Sequence, residues 1–487
     1  MCDTLPANLS PSNGSADALD TNPASSQPDA KRIQDAINAC PAGQAVKLTK
    51  GSGGQSAFIS GPLTIKSGVT LWIDSGVTLF ASRNPADYDN GPGTCGTATS
   101  ADPKACNPLI LADSTVNSGI VGDGKIDGRG GSLLTSGPNA GNRSWWDVAM
   151  QNKTQGLSQQ NPRLIIVKKG SNFTLYHVAI MNSPNFHFTS NGTQGITAWG
   201  IKILSPSIVY TKPGYACAAG TTPDKVTPAT CFTPETVKNT DGFDPGVSQN
   251  VLLAYSYIST GDDHVAVKSG STGTTTNLNV SHNHLYYGHG MSIGSETNSG
   301  LSNAVIDDLV IDGQDSTGSI GLRIKSDSSR GGHVDNVTYS NVCMRNVRQP
   351  LVFDAYYSST TGSLFPNFTN ITIKGLHNLG SAKYAGGTLT FAGYETGGNV
   401  FPIGITLDNV VFDGTQPTLA ASNNSGSSAA PSATHFTFGP GAVSFASSVK
   451  PTAAADVTVA GKAGTSTAVS CGSAFVKMST MLADAPI

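Results

Sequence analysis

The sequence predicts an all-β protein, a single parallel β-helix with an N-terminal capping helix. Three observations point there. Short runs of alternating apolar residues recur at intervals of roughly 20 to 35 residues, the mark of a small unit stacking on copies of itself. The runs are bounded by Gly, Asn, Asp or Ser, and many open on Asn followed by Val, Leu or Ile. The composition agrees: 56 glycines, abundant Ser, Thr and Asn, and only 13% charged residues suit strands and tight turns better than long helices.

The elements follow in chain order. Residues 31–40 (KRIQDAINAC) place Ile33, Ala36, Ile37 and Cys40 at helical spacing, which predicts an amphipathic helix; a cap at about 30–45 would cover the open end of a solenoid. Beyond it the period becomes two. The runs include GPLTIKSGVTLWIDSGVTLFAS, LIIVKKGSNFTLYHVAIMNS, NVLLAYSYIST, NLNVSHNHLYY, NVTYSNVCMRNV and GITLDNVVFDG. No long helical segment is expected between them, which disfavours a βαβ sheet, and few hairpin signals argue for a sandwich or propeller. A run of this length cannot bury its apolar face alone. Stacked as coils about 4.8 Å apart, the runs enclose a continuous core. One domain is expected over 1–487, with the motif-bearing coils at about 165–415. A small-residue-rich tail follows at about 415–487, in which 415–433 reads as a linker and Cys471 as a tie back to the body.

Eight cysteines, an even number, fit disulfides formed in an oxidising compartment. Cys95 with Cys106, and Cys217 with Cys231, are close enough in sequence for local pairing, and no spacing reads as a zinc site. Secretion is therefore expected, although Met1-Cys2-Asp3-Thr4 lack the regions of a signal peptide. A net charge of −3 gives no basic field for nucleic acid, and no apolar run is long enough for a membrane span. A monomer is expected.

Four segments stand apart: Asn239-Thr240-Asp241, Gly261-Asp262-Asp263-His264, Gly288-His289-Gly290 and Arg323-Ile324-Lys325. From Asp241 to Asp262 is 21 residues, from there to His289 is 27, and on to Arg323 is 34, about one coil each time. Coil spacing brings such residues to one face. Strand alternation adds detail. With Val265 and Val267 inward, His264, Ala266 and Lys268 point outward. Asp263 would then face the core, where a lone carboxylate is costly, so the strand is expected to start after it and leave Asp262 and Asp263 exposed in a bend. Leu322 and Ile324 face inward, so Arg323 and Lys325 face outward together. Three close carboxylates repel, and one should keep its proton, as general acid–base cleavage of a glycosidic bond requires. The two cations would hold an anionic substrate. Each segment alone could be turn chemistry or a solvated face; four at coil spacing are harder to explain that way. His282, His284 and His289 are spaced poorly for a metal site.

The four segments resemble the signature of glycoside hydrolase family 28, the polygalacturonases, whose Asn-Thr-Asp, Gly-Asp-Asp, Gly-His-Gly and Arg-Ile-Lys occur in this order. The runs GHGMSIGSET and GLRIKSD look most like bacterial endo-acting members, and NSPNFHF at 182–188 and VGDGKIDGRGG at 121–131 also match. The resemblance covers about 30–415. It implies a right-handed parallel β-helix and cofactor-free, inverting hydrolysis of α-1,4 bonds in polygalacturonate, the de-esterified backbone of pectin. It further implies Asp262 as general acid and Asp241 and Asp263 as the pair that activates water. His289 would support the acid, and Arg323 and Lys325 would bind the galacturonate carboxylate. Asn239 belongs to the matched motif, and Tyr357, rather than Tyr356, is implied as the aromatic near the reacting sugar. His264 departs from the family, which often has a smaller or neutral residue there. An extra loop at 211–235 leaves exo action open. Alternatives are an exo-polygalacturonase or rhamnogalacturonan hydrolase, a calcium-dependent pectate lyase, and a non-catalytic carbohydrate-binding β-helix.

Overall fold

The computed structural model of the chain describes residues 1–91, 93–99, 106–223, 227–415, 417–420, 422, 434–438, 457–458 and 468–487. They group into two compact units: residues 1–243, 256–262 and 477–487 form the first, and 244–255 with 263–476 the second. Most of the expected linker at 415–433 lies outside the described residues.

The first unit is built from coils of three short strands, all parallel to their counterparts in the next coil. One coil holds Ile165–Lys168, Ser171–Tyr176 and Ala179–Met181. The next holds Phe188–Asn191, Gln194–Trp199 and Lys202–Leu204. The register sets Ile165 beside Phe188, Phe173 beside Ile196 and Ile180 beside Ile203. Like residues thus stack inward and form the buried core of a parallel β-helix.

The predicted helix is present as α1, Ala30–Ala39, and buries Ile33, Ala36 and Ile37. Asp29, just ahead of it, accepts a hydrogen bond from the backbone of Ile59 at 2.7 Å, and Cys40, just after it, is bonded to Cys2. A second helix, α2 (Trp145–Gln155), lies between the runs; at 11 residues it is not a long helical segment. Its signal was local. Ser144 and Asp147 make a capping box, each side chain bonding the other's backbone, and Gly156 ends the helix at φ 68°. Trp146 holds it in place, packed on Phe232 and Val237.

In the second unit the strands are longer. Thr275–Leu285, Leu301–Asp312, His333–Arg345, Asn367–Asn378 and Ile403–Phe412 pair in sequence, all parallel. Asn250, Asn277, Asn303, Asn336 and Asn370 fall at equivalent bends with φ between 52° and 59°. Asn tolerates this left-handed conformation because its short amide can bond locally. The amides also bond along the stack: Asn277 donates to Asn250 at 3.2 Å, and Asn336 to Asn303 at 2.8 Å. The Asn that opens so many runs in the sequence is this bend residue.

Both local disulfides form, Cys95–Cys106 and Cys217–Cys231, and Cys471 ties its segment to Cys343 across 128 residues. Closing a loop of that length removes most from the entropy of the unfolded chain.

Candidate active site

In the first unit the Asn-Thr-Asp and Gly-Asp segments meet. The backbone N–H of Gly261 donates to the buried hydroxyl of Thr240 at 2.8 Å, and that hydroxyl donates to the carbonyl of Val237 at 2.9 Å. Thr240 therefore locks two successive coils together with its flanking residues Asn239 and Asp241 in place. Asn239 takes φ 56°, and Gln159, just after α2, donates to its side-chain oxygen at 2.9 Å. Asp241 is buried, whereas Asp262 lies in the expected bend but is half-buried rather than exposed.

His187, from the NSPNFHF segment, holds Asp241 from below. Its backbone N–H and its ring Nδ1 both bond the carbonyl of Asp241, at 2.9 and 3.0 Å, and Nε2 is 2.9 Å from the Ser205 hydroxyl. A carbonyl only accepts, so Nδ1 carries the proton and Nε2 accepts from Ser205. Burial pushes the ring's pKa down to about 4, with the backbones of Asp241, Leu204 and Thr240 opposing. The folded value lies below the ordinary one, so the stability that neutral His187 contributes is complete above pH 6.5. It is lost as the pH falls towards 4. At about 1.4 kcal/mol per pH unit, the loss across that window is about 3 kcal/mol. Urea unfolding at pH 7, 5.5 and 4 should show a flatter pH dependence for His187→Asn, which cannot titrate; identical slopes would mean that His187 is not held neutral.

In the second unit the strands Val265–Ser269, Met291–Thr297, Ile320–Lys325 and Gln349–Asp354 lie side by side. Register puts Val267, Ile293 and Ile324 in one inward row, and Ala266, Ser292 and Arg323 in one outward row. Asp263 precedes the first strand. Its carboxylate accepts from Lys325 Nζ at 2.6 Å and Ser292 Oγ at 3.0 Å, with Arg323 at 3.5 Å. A ring nitrogen of His289 lies within 4.8 Å of a carboxylate oxygen of Asp263, and Ser292 Oγ also reaches the His289 carbonyl at 3.3 Å. The Arg323 guanidinium and Lys325 ammonium stand over the Tyr357 ring at 5.1 and 4.9 Å. Tyr356 turns away and bonds the backbone of Glu395.

The structure corrects the sequence reading at three points. Asp263 is not exposed but 1% accessible, its charge compensated by two cations. Arg323 and Lys325 are correspondingly buried rather than free for substrate alone. His264 and Ala266 lie on the outward face but are fully buried, because parity assigns a face and says nothing of what packs over it. Sequence reasoning missed two supports. Ser292 was readable from alternation, since Met291 and Ile293 point inward; His187 had no signal beyond its motif.

This arrangement suits acid–base chemistry on an anionic sugar. Two cations, Arg323 and Lys325, are gathered there over an aromatic ring. Among the described residues, Asp263 and His289 are spaced as part of a possible metal-ligating group, yet the two cations on Asp263 disfavour a further one.

Residues 40–430 match glycosyl hydrolases family 28. The chain belongs to this family. It is 64% identical over its whole length to a polygalacturonase of Ralstonia nicotianae, covering 92% of that protein. It is 44% identical over 70% of its length to an endo-polygalacturonase of Pectobacterium carotovorum, covering 75% of it. The solved polygalacturonase from Erwinia carotovora ssp. carotovora superimposes with a TM-score of 0.68 at 37% identity, over 90% of this chain and 95% of that one.

Proposed function

We propose that this glycoside hydrolase cleaves α-1,4 bonds between galacturonate residues of polygalacturonate, at internal positions and with inversion. The observation that carries the substrate class is the pair of cations Arg323 and Lys325, gathered at Asp263 against the Tyr357 ring in a chain of net charge −3. Global attraction cannot gather a polyanion here, so local cations must. Family membership and the polygalacturonase relatives support the same substrate, and the endo-acting relative supports internal cleavage. Asp262 takes the role of general acid. Asp241 and Asp263 activate water, His289 supports the acid, and Asn239, Arg323, Lys325 and Tyr357 bind the galacturonate. The four disulfides support a secreted protein.

Direct attack by an activated water needs no covalent intermediate, so the first-formed product should have inverted anomeric configuration. Proton NMR of fresh product reads this, and retention would overturn the assigned roles. A time course on polygalacturonate should give mixed oligomers first; monomer or dimer alone at early times would mean exo action. Unsaturated, ultraviolet-absorbing products would mean a lyase.

A further inference from the structure

His264 is fully buried, and the reaction scheme gives it no part. Its ring sits under the turn that carries His289. The backbone N–H of Gly290 donates to His264 Nδ1 at 3.0 Å, and the backbone N–H of His264 donates to the Gly290 carbonyl at 3.2 Å. Gly290 has φ 88°, and a Cβ there would come within 2.2 Å of the Gly321 carbonyl. The turn is thus made by a residue that cannot be replaced, in a space that allows little movement. On its far side Ser292 Oγ bonds both Asp263 and the His289 carbonyl. We infer that His264 is a positioning residue: as a neutral acceptor for the Gly290 N–H, it fixes the Gly288–Gly290 turn and sets His289 against Asp263. This rests on the proposed roles of Asp263 and His289.

The bond demands one protonation state. Gly290 can only donate, so Nδ1 must be bare and Nε2 must carry the proton. Burial holds the ring neutral, lowering its pKa to about 4; the nearby His289 acts in the same direction, and Asp263 against it. Arg323 and Lys325, paired to Asp263, complete the charged surroundings. A protonated ring would set N–H against N–H.

The test uses three variants of the full chain, with kcat and KM on polygalacturonate at pH 6 and a thermal melt for each. The side-chain oxygen of Asn can overlay Nδ1, so His264→Asn should keep kcat within about threefold. His264→Gln carries its oxygen one bond further out, and His264→Leu has no acceptor. Both should lose kcat by roughly 10- to 100-fold with KM little changed, the scale of a misplaced catalytic group. Leu or Gln at wild-type kcat would overturn the proposal, as would equal losses in folded Asn and Gln variants. If the Leu variant does not fold, the Asn–Gln comparison still decides. Failure of the underlying reading looks different: the wild type would release no reducing ends, or Asp263→Asn would keep full activity.

Discussion

Asp262→Asn should lower kcat on polygalacturonate by roughly 10²- to 10⁴-fold while leaving the protein folded. The leaving oxygen of a glycosidic bond departs poorly as an alkoxide and needs a proton as the bond breaks. Asn has the shape of Asp but no proton to deliver. Asp262 lies in a bend outside any strand and is half-buried, so the core is untouched by the change. Lys238, itself partly buried, feels its charge, and burial draws that lysine's pKa down while Asp262 and Glu235 raise it. Losing the carboxylate should therefore lower the pKa of Lys238 further. The measurement is kcat with the melting temperature as control: a folded variant with near wild-type kcat would remove Asp262 from the mechanism.

Lys325→Met should destabilise the protein by about 3 to 5 kcal/mol, the cost of removing one partner from a buried ion pair. The ammonium lies 2.6 Å from an Asp263 oxygen, and both side chains are almost wholly buried. Arg323 stays at 3.5 Å and compensates part of the charge, which favours the lower end. Asp263→Asn in the same chain should restore much of the loss, and urea unfolding of the four proteins gives the coupling directly. The same variant tests substrate reading. If Lys325 also binds a galacturonate carboxylate, kcat/KM on polygalacturonate should fall by a further 1.5 to 3 kcal/mol equivalent, about the strength of a hydrogen bond to a charged group. The preference for de-esterified over methyl-esterified chains should shrink with it. Lost stability with that preference intact would mean that Lys325 serves Asp263 alone.

Much of the fold was legible because a β-helix is nearly one-dimensional. Each coil repeats the same demands: apolar residues at alternate positions, and Asn or Gly where the chain bends through positive φ. Asn277, Asn303 and Asn336 announce their bends locally, as Ile33, Ala36 and Ile37 announce α1. The close-set disulfides could be read in the same way. The short helix α2 carries a local signal too, in Ser144, Asp147 and Gly156. The four motifs marked the residues of the candidate site because coil spacing converts separation in sequence into neighbourhood in space.

The sequence by itself thus determined which residues face outward on which coils. What surrounds them was decided only by tertiary structure. Asp263 was expected in solvent because a lone inward carboxylate is prohibitive, but Lys325, 62 residues away, removes the premise. His264 was expected outside, and the Gly290 turn from the following coil buries it. Alternation is a property of one strand, whereas burial and charge compensation belong to groups brought together by stacking, and no single run contains both partners.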